Sequence, residues 1–337
     1  MQRRKFLTLS ATAAAISILP LNLNASDNKK TAPKTLDSAT AKQIPEHNYN
    51  LKPKQISENI WCFFGVLEGP SKQNAGNMLN TCYIKGDNSF IIWDSGPSYI
   101  YAKQAYEAMS KIVGKLSVKH VFISHEHDDH WLGNNYYKEV HGAEIIGPES
   151  INKNYKVGQT DLRMFKSLNE NAIRGTKIIH VDKSYKESVK LNIAGVDLEY
   201  IYAGNAHSEE DFFMYLPKTK TILAADLVFN GRITSNRHGC VENCLSALDA
   251  IDSKEWTTLI PGHGFIIDKT ATDEIRQYFT LLGERVQGAI DDGVDSTEIV
   301  EKVPLEEFKD KAMYGQLNSL NVSRAFLEFD MGLPELE

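Results

Sequence analysis

Between residues 56 and 293, short runs of apolar and β-branched residues alternate with longer stretches in which apolar residues recur at helical spacing. Residues 60–64, 80–84 and 90–93 are runs of the first kind and predict successive strands, because segments bearing Gly and Asn separate them. Residues 99–113 are of the second kind and predict a helix with one apolar face. The same reasoning predicts strands at 118–123, 196–202, 212–216, 221–224 and 257–260, and helices at 242–251 and 272–290. The pattern indicates an α/β or α+β protein and leaves the sheet topology open.

The first 25 residues do not follow this pattern. Arg3, Arg4 and Lys5 precede an apolar stretch at 9–23, and a basic segment before a short apolar one is typical of an export signal. The Arg-Arg-x-Phe-Leu core resembles a twin-arginine leader, which implies the twin-arginine export machinery as a partner and a periplasmic location. The alternative is an uncleaved signal that anchors the protein to the inner membrane, although the apolar stretch is short for a span.

The rest of the chain divides into three predicted parts. Residues 26–52 are rich in Lys, Thr, Asn and Pro without apolar periodicity, which predicts a linker. The main domain is expected over residues 53–293. Residues 294–337 again have apolar residues at helical spacing, and we expect a C-terminal helical extension packed on the main domain.

Composition excludes several classes of function. The chain has 337 residues, of which 42% are hydrophobic and 24% charged, so it is neither disordered nor fibrous. Its 44 acidic residues outnumber its 37 Lys and Arg residues, and we expect no nucleic-acid partner and no stable membrane partner. Four cysteines are too few for a disulfide scaffold. Free buried thiols are favoured over the two pairs that sequence suggests, Cys62 with Cys82 and Cys240 with Cys244.

Residues 125–130 form the hexapeptide His-Glu-His-Asp-Asp-His, directly after the predicted strand 118–123. In a turn at a strand end, His125 and His127 can direct their imidazoles to one side, while Asp129 and His130 can serve a second cation nearby. Imidazole and carboxylate are the usual ligands of Zn²⁺. The hexapeptide therefore predicts a metal site.

Further donors follow three other apolar runs. His207 comes after residues 196–202, Asp226 closes the run 222–226, and His263 lies in Pro-Gly-His-Gly after residues 257–260. A rigid sheet can hold such residues while a loop exposes them, so we expect them to complete the site.

With these motifs in this order, the chain resembles a metallo-β-lactamase-fold hydrolase over residues 56–290. The resemblance implies an α+β fold, a four-layer αββα sandwich with the metals at one edge, followed here by the C-terminal helical extension. It implies that His125, His127 and His207 bind a first metal. Asp129, His130 and His263 would bind a second metal, and Asp226 would bridge the two. Asp94 matches the family's Asp-Thr-Gly turn and would fix the tautomer of a ligating histidine from the outer shell.

The resemblance also bears on the branch of the family. Zinc β-lactamases have Cys or Ser at the position of Asp226, so Asp226 favours the branch that resembles glyoxalase II. The Pro-Gly-His-Gly motif and residues 321–328 resemble exported members found beside quinoprotein and sulfur-oxidation systems.

The function implied is a periplasmic binuclear hydrolase. A metal-bound hydroxide would attack an ester, thioester or amide carbonyl of a small molecule, and Asp129 would act as the catalytic residue that orients the hydroxide and transfers its proton. Two Zn²⁺ ions per chain are expected, and a donor set without thiolate also accepts Fe or Mn. A mononuclear iron persulfide dioxygenase is the alternative, and a true zinc β-lactamase is a weaker one.

Two arginines follow Asp226 closely along the chain. A guanidinium at Arg232 or Arg237 could bind a substrate carboxylate, and surface ion pairing is the alternative for both residues. The glycine-bearing loop 64–78 is long for a hairpin and could fold over the metals.

Overall fold

The computed structural model describes residues 45–265 and 270–332. The predicted export signal at 1–25 and the predicted linker up to residue 44 lie outside the described residues. Residues 45–52 belong to no helix or strand, and Tyr49 among them is buried, with its hydroxyl donating to the Ala75 carbonyl oxygen at 2.9 Å. Within the described part of the chain, no helix is long and apolar enough to cross a membrane.

The first half of the described chain builds a six-stranded sheet in the order β1 to β6. Pairing is antiparallel from β1 to β4 and parallel from β4 to β6. The strands are β1 (Lys54–Ser57), β2 (Ile60–Phe63), β3 (Thr81–Lys85), β4 (Ser89–Trp93), β5 (Ser117–Phe122) and β6 (Glu144–Ile146).

The second half builds a five-stranded sheet in the order β11-β10-β9-β8-β7. Its pairing is antiparallel except between β10 and β11, which are parallel. The strands are β7 (Val189–Ile193), β8 (Val196–Gly204), β9 (Asp211–Leu216), β10 (Thr221–Phe229) and β11 (Thr258–His263).

Helices cover the outer face of each sheet. The helices before the second sheet are α1 (Tyr99–Val113), α2 (Asp128–Trp131), α3 (Asn134–His141), α4 (Glu149–Asn154), α5 (Arg163–Ser167) and α6 (Glu170–Ile173). Those after β10 are α7 (Val241–Asp252), α8 (Ala271–Asp291), α9 (Ile299–Lys302) and α10 (Tyr314–Met331), and short 3₁₀ turns lie at Pro217–Thr219 and Glu306–Phe308.

Three apolar clusters account for the layering. One lies between the two sheets and includes Trp93 and Phe122 from the first and Tyr200 and Phe212 from the second. A second packs α1 and α3 on the first sheet, and a third packs α7, α8 and α10 on the second sheet. The α+β class and the αββα sandwich predicted from the sequence are confirmed, and helices follow the second sheet among the described residues, as expected.

Candidate metal centre

The hexapeptide 125–130 leaves the first sheet and enters the short helix α2. His127 has extended backbone angles, φ −69° and ψ 135°, and the helix begins at the next residue. This change of backbone direction separates His125 and His127 from Asp129 and His130, so that the two pairs contribute to different groups of donor atoms.

The first group consists of three imidazoles and one carboxylate. His127 Nδ1 lies 3.0 Å from His125 Nε2 and 2.9 Å from His207 Nε2. Asp226 Oδ2 lies 3.2 Å from His207 Nε2 and 3.7 Å from His125 Nε2. One proton on His127 Nδ1 cannot serve two nitrogen neighbours, whereas a cation can accept all three lone pairs at once.

The second group shares Asp226 with the first. His130 Nε2 lies 3.2 Å from Asp226 Oδ1, and His263 Nε2 lies 3.3 Å from Asp226 Oδ2. Asp129 Oδ2 is 3.6 Å from each of the same two ring nitrogens. The seven residues that the sequence singles out as metal ligands thus meet in two adjoining groups, with Asp226 between them.

Three donor atoms in this cluster fit a metal better than they fit the protein alone. Asp129 Oδ2, His130 Nε2 and Asp226 Oδ1 are buried and make no hydrogen bond among the described residues. A buried polar atom without a partner is costly, and three that face one another indicate a shared cationic ligand.

The charge states of the side chains agree with that interpretation. Burial lowers the pKa values of His125, His127 and His263, which favours the neutral rings that bind metals. Burial would raise the pKa of Asp226, but the imidazoles of His263, His130 and His125 outweigh it and hold that pKa well below its usual range. These three rings are therefore neutral nitrogen donors beside an ionised carboxylate. Burial would also lower the pKa of His130, but the neighbouring carboxylates outweigh it and raise that pKa well above its usual range, so a positive charge is favoured where a divalent cation would replace the proton.

Neighbouring groups fix the orientation of two imidazoles of the cluster. Asp94 Oδ2 accepts from His130 Nδ1 at 2.8 Å and from the Ser124 hydroxyl at 2.9 Å, which directs the lone pair on His130 Nε2 toward the cluster. Asp94 therefore contacts the ring nitrogen of His130 that faces away from the cluster, and its outer-shell role stays a prediction. His263 Nδ1 donates to the Met78 carbonyl oxygen at 2.6 Å, which orients the second imidazole in the same way.

Gly262, beside His263, has its own packing requirement. A Cβ at this position would overlap with the Asp226 carboxylate and the backbone at Ala225. The absence of a side chain at residue 262 therefore lets β11 approach β10 closely enough for His263 and Asp226 to meet.

Sequence reasoning missed Arg163, the first residue of α5. Its guanidinium pairs with Asp129 Oδ1 and with Asp128, which lies at 3.2 Å, and both carboxylates are buried. Burial would raise the pKa of Asp129, but the charges of Arg163 and of the nearby imidazoles outweigh it and lower that pKa. No motif marks Arg163, because it lies 33 positions after the end of the hexapeptide and the segment between them has no pattern of its own.

Two further residues near the ligands were also missed. Asp211 Oδ2 accepts backbone N–H bonds from Ala206, His207 and Ser208 at 2.7–3.0 Å, so it shapes the turn that carries His207. An Asp at the end of a polar turn is a sequence signal by which such a turn-shaping role can be recognised. His238 Nδ1 lies 3.0 Å from His127 Nε2, and no motif in the sequence connects His238 with the hexapeptide.

Arg232 and Arg237 line the same cleft as Asp129 and Asp226. Arg232 is buried, with 7% of its surface exposed, and donates to the carbonyl oxygens of Ile233 and Glu68, while its Nη1 also lies 3.5 Å from His263 Nδ1. Arg237 is exposed, and its Nε donates to the Ser235 hydroxyl at 3.2 Å. Among the described residues, neither guanidinium has a carboxylate within ion-pair distance, in contrast to Arg163.

Comparison with protein families gives a match to the metallo-beta-lactamase superfamily over residues 76–263, which is more than half of the chain. The matched region contains all seven clustered donors and both arginines of the cleft.

Solved structures of similar fold agree with this match. A metallo-beta-lactamase from Pontibacter korlensis has 18% identity and a TM-score of 0.53, with 68% of this chain and 99% of that chain covered. The sec-alkylsulfatase Pisa1 from Pseudomonas sp. has 16% identity and a TM-score of 0.61, with 85% of this chain and 51% of the other covered. The DIM-1 metallo-beta-lactamase has 17% identity and a TM-score of 0.52, with coverage of 70% and 98%. At these identities the likeness is one of fold.

Proposed function

Because the chain belongs to the metallo-beta-lactamase superfamily, we propose that it is a metal-dependent hydrolase that binds two divalent cations and cleaves an ester, thioester or amide bond of a small molecule. The observation that carries the proposal is the pair of adjoining donor groups, in which the Asp226 carboxylate of the first lies within 3.3 Å of His130 and His263 of the second. Two such groups side by side suit a binuclear hydrolytic site better than a single redox-active metal.

Each residue of the cluster has a role in the proposal. The first cation would be held by His125, His127 and His207, the second by Asp129, His130 and His263, with Asp226 contributing to both. Two bound cations would lower the pKa of an attacking water and polarise the substrate carbonyl. Zinc is the proposed metal, and the nitrogen and oxygen donors also suit iron or manganese.

Asp129 is the proposed catalytic residue. Arg163 holds its Oδ1 and keeps the carboxylate ionised, while Oδ2 faces the centre beside His130 and His263. An ionised carboxylate held in this orientation can accept a proton from the attacking water at Oδ2 and transfer it to the leaving group.

Arg232 and Arg237 suggest that the substrate carries an anionic group. A buried guanidinium without a carboxylate partner is costly, so Arg232 is expected to find its counter-charge in the ligand. Its Nη2 makes no hydrogen bond among the described residues, and the side chain lines the cleft beside the donor atoms. The planar guanidinium of Arg232 can donate two parallel hydrogen bonds, which suits a carboxylate on the substrate.

The leader-like residues 1–25 support export by the twin-arginine machinery and a periplasmic site of action. This part of the proposal depends on the sequence alone.

The proposal is tested by metal analysis and a hydrolysis screen on protein exported in its native host. We expect about two zinc ions per chain and cleavage of at least one member of a panel of thioesters, lactones and a chromogenic cephalosporin. The panel includes a matched pair, S-acetyl-3-mercaptopropionate and its neutral amide, and the anionic member should be the better substrate.

Asp129→Ala should abolish turnover while the protein is still exported and folded. His120→Ala, which removes an imidazole outside the cluster, is the matched control and should retain both metals and activity. One iron per chain, with O₂ consumption on glutathione persulfide, would instead establish the dioxygenase alternative and overturn the proposal.

A further inference from the structure

The loop at residues 230–240, here called the pocket loop, connects β10 to α7 and forms one wall of the cleft. It carries Arg232 and Arg237, and it carries His238, whose Nδ1 lies 3.0 Å from His127 Nε2. At its end, the Cys240 N–H donates to the Ala206 carbonyl oxygen at 2.9 Å, directly before His207. The position of the pocket loop therefore determines where the guanidiniums lie relative to the donor cluster.

The pocket loop contains no helix or strand that would fix it from within. Its backbone groups bond instead to the C-terminal segment that follows α9. The Ile233 N–H donates to the Ala312 carbonyl oxygen at 2.8 Å, and the Ala312 N–H donates to the Gly231 carbonyl oxygen at 3.2 Å. Arg232 and Ala312 form an isolated parallel bridge. These bonds hold the beginning of the pocket loop.

One buried side chain of α10 holds the middle of the pocket loop. Asn321 is fully buried, and its Oδ1 accepts from the Asn236 N–H at 2.8 Å. Its Nδ2 donates to the Thr234 carbonyl oxygen at 2.9 Å and to the Tyr278 hydroxyl at 2.8 Å. Every hydrogen-bonding proton of this amide is used, and a buried amide so satisfied specifies one arrangement of the groups around it.

Two further residues on the same face of α10 hold the end of the loop. Arg324 Nε donates to the Gly239 carbonyl oxygen at 3.1 Å. The Glu328 carboxylate accepts the Val241 N–H at 2.9–3.0 Å, at the N-terminus of α7, where a negative charge is favourable. Positions 321, 324 and 328 are three and four residues apart, so one helix face presents all three side chains.

We propose that α10 is a positioning element of the site, in which Asn321, Arg324 and Glu328 fix the pocket loop and so determine how Arg232 and Arg237 meet the substrate. The inference rests on the proposed function for the identity of the reaction. It concerns residues beyond the matched family region, which ends at His263. The three side chains act through the loop and contact no metal donor.

The test compares Asn321→Ala with Asn318→Ala in the full-length chain. Asn318 is the matched control because it lies one turn earlier on α10 and is also buried, but it bonds to Tyr278 and to the Pro304 carbonyl oxygen and not to the pocket loop. Both substitutions remove a buried amide, so both should lower the melting temperature. Only Asn321→Ala should release the pocket loop.

Three measurements separate the variants. Hydrogen exchange should show faster exchange at Asn236 and its neighbours in Asn321→Ala alone. For S-acetyl-3-mercaptopropionate, KM should rise by about tenfold in Asn321→Ala with kcat changed by less than about twofold, because substrate placement is lost and the donor cluster is not. Metal content should equal that of the wild type in both variants, since all seven donors lie outside the pocket loop.

Equal exchange in the two variants, or faster exchange of the loop without a change in KM, would overturn the inference. If Asn321→Ala does not fold, Arg324→Met keeps the aliphatic stem, removes the donor to Gly239 and is judged by the same measurements. If the wild type cleaves neither member of the thioester pair, the substrate proposal fails. Hydrogen exchange and metal content then decide whether α10 holds the loop, and unchanged exchange in Asn321→Ala would still refute it.

Discussion

Asp94 is a buried carboxylate with hydrogen bonds to both oxygens. Oδ1 accepts the Ser124 N–H at 2.8 Å, and Oδ2 accepts from the Ser124 hydroxyl and from His130 Nδ1. Its backbone has φ of +56°, in the left-handed region, which for a residue other than glycine is kept only where the surroundings require it. Both the backbone conformation of Asp94 and its hydrogen-bonded carboxylate oxygens therefore serve the orientation of His130.

Asp94→Asn should weaken metal binding at the second donor group by about 10–100-fold. Asparagine conserves the size and tolerates a positive φ, but its amide nitrogen cannot accept the proton from His130 Nδ1. The ring then favours the other tautomer, which places its proton on Nε2, where the lone pair is needed. Titration of the protein with zinc against a chromogenic chelator measures the affinity of each group.

The control for this prediction is Asp182→Asn. Asp182 pairs with Lys138 on the surface and accepts the Ile145 N–H, away from the donor cluster. It should leave both zinc affinities unchanged. Equal affinities for Asp94→Asn and the wild type would show that Asp94 does not set the tautomer of His130.

At the scale of single residues, the sequence predicts donors better than it predicts their supports. His125 and His207 each follow an apolar strand and Asp226 lies within one, so residue type and position together identify them. Arg163 reaches Asp129 from a distant segment, and its role depends on the packing of α5 against α2. A role that depends on tertiary packing leaves no local pattern.

The pocket loop shows the same dependence at the scale of elements. Gly239 packs against the turn that carries His207, and an added Cβ would overlap with the Ala206 carbonyl oxygen and the Asn236 side chain. The pocket loop thus packs against α10 on one side and against the turn that carries His207 on the other, and there is no room for an added side chain at residue 239.

Gly239→Ala should destabilise the fold by about 1–3 kcal/mol, because the backbone carbonyl of Ala206 cannot move aside without displacing His207. Urea denaturation of the wild type and the variant under the same metal conditions measures the difference.

Gly288→Ala is the matched control for the same change in residue type. Gly288 lies on an exposed face of α8, and a Cβ there would meet nothing within 4 Å. Removing glycine from a helix interior should raise stability by about 0.5–1 kcal/mol. The two variants should therefore shift the urea midpoint in opposite directions, and a shift of both in the same direction would contradict this account of Gly239.

The sequence predicts some strands and helices more clearly than others. Strands with continuous apolar runs, such as β4 and β10, were identified because both faces are buried and every residue contributes to the signal. β6 has three residues and gives no clear pattern. β7 alternates between apolar and polar residues, which is typical of a half-buried strand, and was missed. The bonds from α10 to the pocket loop join residues 85–87 positions apart and depend on side chains that meet backbone groups. No periodicity in the sequence reports such bonds.

On the scale of the whole molecule, the metal donors come from both halves of the sandwich. His125, His127, Asp129 and His130 follow β5 of the first sheet, and His207, Asp226 and His263 belong to the second sheet and its turns. Each donor group draws ligands from both halves. The overall fold was predictable because the family resemblance includes the order of these donors along the chain. For the C-terminal segment, the sequence predicted helices packed on the main domain but not the residues that make the contacts.

Metal removal should therefore destabilise the whole fold and not only the site. A ligand that binds the folded chain alone adds about 3–4 kcal/mol when its free concentration is 100–1,000 times its Kd. We expect a chelator to lower the melting temperature of zinc-loaded protein and re-addition of zinc to restore it. Calorimetry with and without chelator measures the change.

The double variant His127→Ala, His263→Ala removes one donor from each group and is the control, because its melting temperature should not respond to the chelator. If the wild type is equally unresponsive, cations at this position do not join the two halves. A response that survives in the double variant would place the stabilising metal elsewhere. If the chelator lowers the melting temperature of the wild type alone, the result agrees with two cations bound between the sheets. The stability that the chelator removes then depends on donors from both sheets.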